Sequence, residues 1–472
     1  MSKNNFRLAI IIILSAILII IIIKSFSPFG LKAVYNFQFP DNNWFKKVTN
    51  LVSTTFLGTL PNNSIKYLNA TGDVVKFKLK LPPAPQKVSS AKISINFKAK
   101  KGFKIGIENS LTQEIKSQSV FEPILEEISW AEISENDLTL YQKENKFNSI
   151  EKFLNDQANT GNQEKNIGTF DYQIESKIDN PTPGSFETNA LLRGNQTLYV
   201  YVASEPLKIE VAKQDLNLYD GDDTLEIIGY KNDRSVLYSK IADDGISKKS
   251  MAADKEQSGS IEKNLQPGIY KIILKTTNDC LITKIKINQK LVVFDDLFLA
   301  DNPIIYPIAK QFKNNVLYTD NNKLNFSLAH KSQKQTIKIN EQIFTISEEN
   351  QIVNLNPSIE NHQNNTLNQI QINTNDIRVS GDSVFSFSLE AFFQPFIPTT
   401  SITTQTDLNS LNFILARYKK ITKNNDWYHQ ELTLPIDKEA IKDDSIQFVI
   451  FPNNIESMAD WLQIKNMRVI LE

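Results

Sequence analysis

The chain has 472 residues, 41% hydrophobic and 22% charged, a balance that fits packed domains rather than a disordered tail. With 52 basic against 53 acidic residues the formal net charge is −1, so no basic surplus exists to hold a polyphosphate and no nucleic-acid partner is expected. A single cysteine, Cys280, rules out an intrachain disulfide, and three histidines leave little for a zinc or iron site.

The first element is apolar. Residues 8–23 read LAIIIILSAILIIIII without a charge, and Phe6, Phe26 and Phe29 extend the run toward the roughly 20 residues that span a bilayer. Backbone groups in lipid must bond to one another, so a transmembrane helix is expected within residues 1–29. Lys3, Arg7 and the α-amine outweigh Lys24, which keeps the N-terminus cytoplasmic and sends the bulk to an extracellular or periplasmic location. Pro28 disfavours cleavage near Ser25 and Ser27, so the helix is read as an uncleaved single-pass membrane anchor.

Beyond it the dominant period is two. Val75, Phe77, Leu79 and Leu81 alternate with Lys76, Lys78 and Lys80; Ile93, Ile95 and Phe97 alternate with Lys92, Ser94, Asn96 and Lys98. The pattern returns at Ile285/Ile287, Ile337/Ile339, Ile370/Ile372, Phe385/Phe387/Leu389 and Phe448/Ile450, and predicts antiparallel strands with one wet face. The lysines are that wet face, and they discourage edge-to-edge aggregation. The fold class is therefore all-β: the anchor, then tandem β-sandwich or jelly-roll domains. One stretch breaks the period. Ile124, Leu125 and Ile128, then Ile150, Phe153 and Leu154, recur at helical spacing with Ser149 as an N-cap, predicting a short helical insert within 120–156. Residues 158–168 read as a loop. Turn clusters suggest a membrane-proximal sandwich over 30–205, a small middle one over 206–295, and a jelly-roll-like domain over 296–472.

The segments LRGNQTLYVYV at 192–202, PLKIEVAKQDLNLYDGDD at 206–223, IADDG at 241–245 and PGIYKIIL at 267–274 resemble a group of singly anchored surface proteins of small-genome microbes. The resemblance implies an envelope location and tandem β-sandwiches; it brings no activity and no binding residue.

Three constellations could carry chemistry. Gly381-Asp382-Ser383-Val384 and Asp426-Trp427-Tyr428-His429 resemble the nucleophile and closing blocks of the GDSL hydrolases, in which His429 would deprotonate Ser383 and Asp426 would orient the imidazole. The blocks lie too close in sequence for a doubly wound domain, and Ser383 leads into a strand pattern, so an esterase is not expected and no catalytic residue is assigned. Asp220, Asp222 and Asp223, with Asp243 and Asp244 in the next turn, are the oxygen donors a calcium ion takes, although Asp-Gly turns are also ordinary hairpin chemistry. Trp427 and Tyr428, set among polar neighbours, read as a loop tip on which a sugar could stack. Sequons at Asn62, Asn69, Asn195, Asn325 and Asn364 are glycan acceptors wherever the machinery exists. The expectation is a non-enzymatic cell-surface protein, a structural envelope component or adhesion module whose partners are neighbouring envelope proteins or surface glycans. A carbohydrate-binding surface protein is the alternative, and calcium is the one cofactor considered.

Overall fold

Strands dominate because the chain alternates apolar and polar residues over most of its length, which suits a sheet with one buried face. The computed structural model describes most of the chain from residue 74 onward, and before it the backbone of strands Ala33–Gln38, Phe45–Lys47, Leu57–Leu60 and Asn63–Ala70. Residues 1–32, 82–87, 111–114, 160–165, 251–255, 301–314, 330–333, 355–366, 453–461 and a few shorter stretches lie outside the description. The expected anchor at 1–29 falls among them; no helix of the described residues is long and apolar enough to cross a membrane.

Two compact units result. A split unit comprises Met1–Gln173 and Pro398–Glu472, and an inserted unit comprises Ile174–Ile397. In the split unit, sheets of seven and six strands among the described residues enclose a core that includes Phe97, Phe103, Phe448 and Val469. Ser90–Ala99 shows how the sequence directs this: Ala91, Ile93, Ile95 and Phe97 are buried while Lys92, Ser94, Asn96 and Lys98 face outward. The last strand, Leu462–Leu471, lies inside the seven-stranded sheet, between Asn63–Ala70 and Ser90–Ala99. A smaller five-stranded sheet carries its own cluster around Tyr141, Ile414 and Tyr418.

The inserted unit is built on two longer sheets, of nine and ten strands among the described residues, which share one core. Both sheets run without a break through the boundary expected at 295/296. Leu192 pairs with Leu299 in one sheet, and Phe294 pairs with Phe385 in the other. The expected boundary at 205/206 is likewise bridged, since Gln196–Val202 pairs along its length with Gly268–Lys275. The compact units thus cut the chain at 173/174 and 397/398, and not into the consecutive segments 30–205, 206–295 and 296–472. Alternation marks a strand but not its partner, and here the partners are remote in sequence.

The helical insert is half as expected. Pro123–Glu126 and Ile150–Asn159 are helices, and Ser149 Oγ accepts the Lys152 N–H at 3.2 Å as an N-cap should. Between them, however, Ala131–Glu135 and Leu138–Gln142 form a hairpin. Part of the expected loop is also strand, since Ile167–Phe170 pairs in parallel with Phe413–Ala416. Leu389 leaves the strand pattern: Ser388 caps a short 3-10 turn over Leu389–Ala391, and Leu389 is exposed. Cys280 is fully buried, and burial pushes its thiol up to about 12, which leaves it an unreactive core residue.

Phe294 lies at the junction of the two halves of the inserted unit, edge-on to Phe387 with ring centroids 5.3 Å apart. Phe294→Ala should cost about 3–5 kcal/mol. Because the core is shared, calorimetry of the full chain should show all of 174–397 melting together at a lower temperature, rather than one half alone.

Candidate functional site

Ser383 and His429 fall in different units, and each has other partners within its own. Ser383 Oγ accepts the Gln394 side-chain amide at 2.7 Å, and Ser383 N donates to Asn321 Oδ1 at 2.6 Å. Asn321 is buried, with its Nδ2 donating to Thr319 Oγ1 at 2.6 Å, and Thr319 Oγ1 donates to the Val384 carbonyl at 2.7 Å. A Cβ at Gly381 would collide with that Asn321 amide. The Gly-Asp-Ser block is therefore shaped by a buried asparagine that braces the turn. His429 Nδ1 shares a 3.0 Å hydrogen bond with Asn96 Oδ1 on the outer face of the seven-stranded sheet.

Trp427 and Tyr428 do not sit on a loop. They open the strand Trp427–Pro435, with Trp427 paired to Asn424 and Tyr428 to Lys423. Tyr428 faces inward, stacked on Phe121 at 5.7 Å and tilted against Phe97 at 5.8 Å. Trp427 faces outward but is only 7% exposed, with the Lys98 and Lys465 ammonium groups 5.0 and 5.7 Å from its ring centroid. The indole is buried beneath these two ammonium groups, and Tyr428 is stacked on Phe121, so neither ring stands out as a platform for a sugar.

The acidic turns do converge, around residues the turn pattern did not mark. Asp215, Asp243 and Asp244 each bring a carboxylate oxygen within 4.8 Å of the others. Asp223 joins through its N–H, which donates to Asp243 Oδ1 at 2.8 Å, while Asp220 and Asp222 stay exposed at the rim. At the centre stands Lys213, fully buried, with Nζ 2.6 and 2.7 Å from the two Asp215 oxygens and 2.5 Å from the Asp223 carbonyl. All six carboxylate oxygens of the trio accept a donor. Asp215 also takes the Asp244 N–H, Asp243 takes those of Asp223 and Gly245, and Asp244 takes the Ile246 N–H and the Asn217 amide. Gly245, at φ +91°, supplies the left-handed turn that aims its N–H at Asp243. Burial raises the pKa of Asp215 and of Asp223. It also pushes Asp243 upward, but the N–H donors of Asp223 and Gly245 hold that carboxyl below its usual range. The trio has the oxygens a hard cation takes, and the lysine ammonium already occupies the position of positive charge.

A second buried acid lies in the split unit. Glu122 is 6% exposed, and burial lifts its carboxyl to about 7, against a lowering pull from Lys104 and a raising push from Asp171. Its backbone N–H donates to Tyr418 Oη at 3.2 Å, and that hydroxyl donates to Glu126 at 2.5 Å.

No family model and no curated protein matches the chain. Among solved structures, dimeric latent PorU from Porphyromonas gingivalis is similar over 65% of this chain and 34% of that one, at 8% identity and a TM-score of 0.16. That level of likeness carries no argument about fold or activity, and the chain spans about a third of that protein's length.

Two outcomes are expected. Lys213→Met strands a buried carboxylate and should cost roughly 3–5 kcal/mol at neutral pH. Denaturant melts should recover part of that loss as pH falls and Asp215 takes a proton, whereas millimolar calcium should leave the melting temperature of the unsubstituted protein unchanged. Glu122 keeps its proton longer when folded than when unfolded, so its contribution falls as pH rises from its ordinary 4.5 through about 7. Glu122→Gln should therefore stabilise the protein by roughly 1–3 kcal/mol at pH 8 and leave it unchanged near pH 4.

Proposed function

We propose that this is a single-pass, membrane-held surface protein without enzymatic activity, serving the envelope as a structural or adhesive component. One conjunction carries the reading. An uncharged run at 8–23, flanked by Lys3 and Arg7, precedes a chain of strands whose intersheet spaces are filled by apolar side chains. Filled sandwiches expose loops, edges and outer faces to partners, which suits contact with neighbours more than chemistry on an enclosed substrate. The GDSL-like blocks add little to an esterase reading, given the partners of Ser383 and His429.

The full chain should stay with membranes through carbonate washing and keep its N-terminal residues. Protease added to intact cells, with any outer membrane first made permeable, should degrade everything beyond the apolar run. A mature N-terminus near Pro28, or complete protection of the sandwich region, would overturn the topology.

A further inference from the structure

Thr422–Asn424 covers one edge of the strand Trp427–Pro435 only from Trp427 to His429. Beyond His429 the strand has a single described strand neighbour, Ser90–Ala99. Along this open edge lies a cavity of about 160 Å³. Its walls come from separate parts of the split unit: Glu431 on the strand, Lys92 on Ser90–Ala99, Gln118 and Ser119 on Ile115–Phe121, and Asp137 at the turn of the 131–142 hairpin. Lys419 completes the set.

Three properties define what the cavity suits. Ser119 is 2% exposed and its hydroxyl has no hydrogen-bond partner, an unmet demand at the wall. The charges balance: Lys92 and Glu431 pair at 3.0 Å, leaving Lys419 and Asp137 as one further cation and one further anion. The lining is otherwise polar apart from Leu432, and Gln118 is held in place by donating its amide to the Arg417 carbonyl at 3.2 Å. The volume corresponds to on the order of ten water molecules, a space for a one-ring molecule and not for an extended chain. A neutral ligand, polar on every side and of that size, matches all three.

We propose that this cavity binds one neutral sugar residue, free or at the end of a glycan, through its hydroxyls. Asp137 accepts hydroxyl protons, Lys419 donates to a hydroxyl oxygen, and a hydroxyl reaching the inner wall supplies the partner Ser119 lacks. No aromatic ring lines the cavity, so stacking adds nothing and the affinity is weak, on the order of millimolar. The proposal names a ligand class for the adhesive reading, yet it stands on the cavity alone and needs no membrane location.

The test uses full-length protein in a detergent without a sugar headgroup. Saturation-transfer NMR is recorded with glucose, galactose, mannose and N-acetylglucosamine, and in a second arm with glycine and serine. Transfer to at least one sugar is expected, weakened about tenfold by Asp137→Ala and reduced by Ser119→Ala. Asp137 is exposed at a turn, so its substitution leaves the fold intact, which an unchanged circular dichroism melt verifies. Transfer to no sugar means the cavity holds water only. That result, transfer to the amino acids alone, or sugar transfer unchanged in both variants overturns the proposal. None of these results touches the topology, which carbonate washing reads separately.

Discussion

The split unit depends on a single pairing, that of Leu462–Leu471 with Ser90–Ala99. The strand occupies an interior place in its sheet, with Asn63–Ala70 and Ala33–Gln38 also bonded to it. Its residues Leu462, Ile464, Met467, Val469 and Leu471 supply one wall of the core. Without it, Ser90–Ala99 would leave an edge of alternating apolar residues open, a template for aggregation. Everything between residues 100 and 461 must be made before this sheet can close. The inserted unit, whose strands all come from 174–397, faces no such delay. Loop-closure entropy makes the remote pairing slow, so the insert is positioned to fold first.

The alternating period made the strands legible. Ser90–Ala99 and Ser445–Pro452 lie where Ile93/Ile95/Phe97 and Phe448/Ile450 put them. Period two is local, whereas sheet partnership is not, which is why consecutive segments were a natural but mistaken division. The hairpin at 131–142 was lost to a helical reading because Ile124 to Ile128 and Ile150 to Leu154 flank it at helical spacing. The outward-facing side of that hairpin is polar and gives no apolar signal at Glu132 or Ser134. The cavity beside Trp427–Pro435 had no sequence signature, since its walls come from elements up to some 340 residues apart, Lys92 and Thr433 among them.

The acidic network shows a different kind of partial legibility. Asp223, Asp243 and Asp244 stood out by their turns, but Lys213 and Asp215 lie within a strand, where no turn marks them. Counting by twos from Leu207, Ile209 and Val211 puts both on the buried face, a charged pair in phase with the core. Burying a charge is costly unless it is paired and fully hydrogen-bonded, and this lysine is held by both Asp215 oxygens and a carbonyl. The arrangement resembles a metal site in its anions and departs from one in its cation. A lysine is always present, so the loops are held whatever the ionic composition outside.

The inserted unit enters and leaves through two segments that lie side by side. Ile397 N donates to the Ile174 carbonyl at 2.8 Å, and Ser176 N to the Pro395 carbonyl at 2.9 Å. Its two ends are therefore one strand spacing apart, about 5 Å. In evolutionary terms such a module can be gained, lost or exchanged in one recombination event, because its host must bridge only that gap. The same geometry makes the 173/174 and 397/398 junctions a natural cassette boundary, where a foreign domain with adjacent termini could be carried in place of the native one.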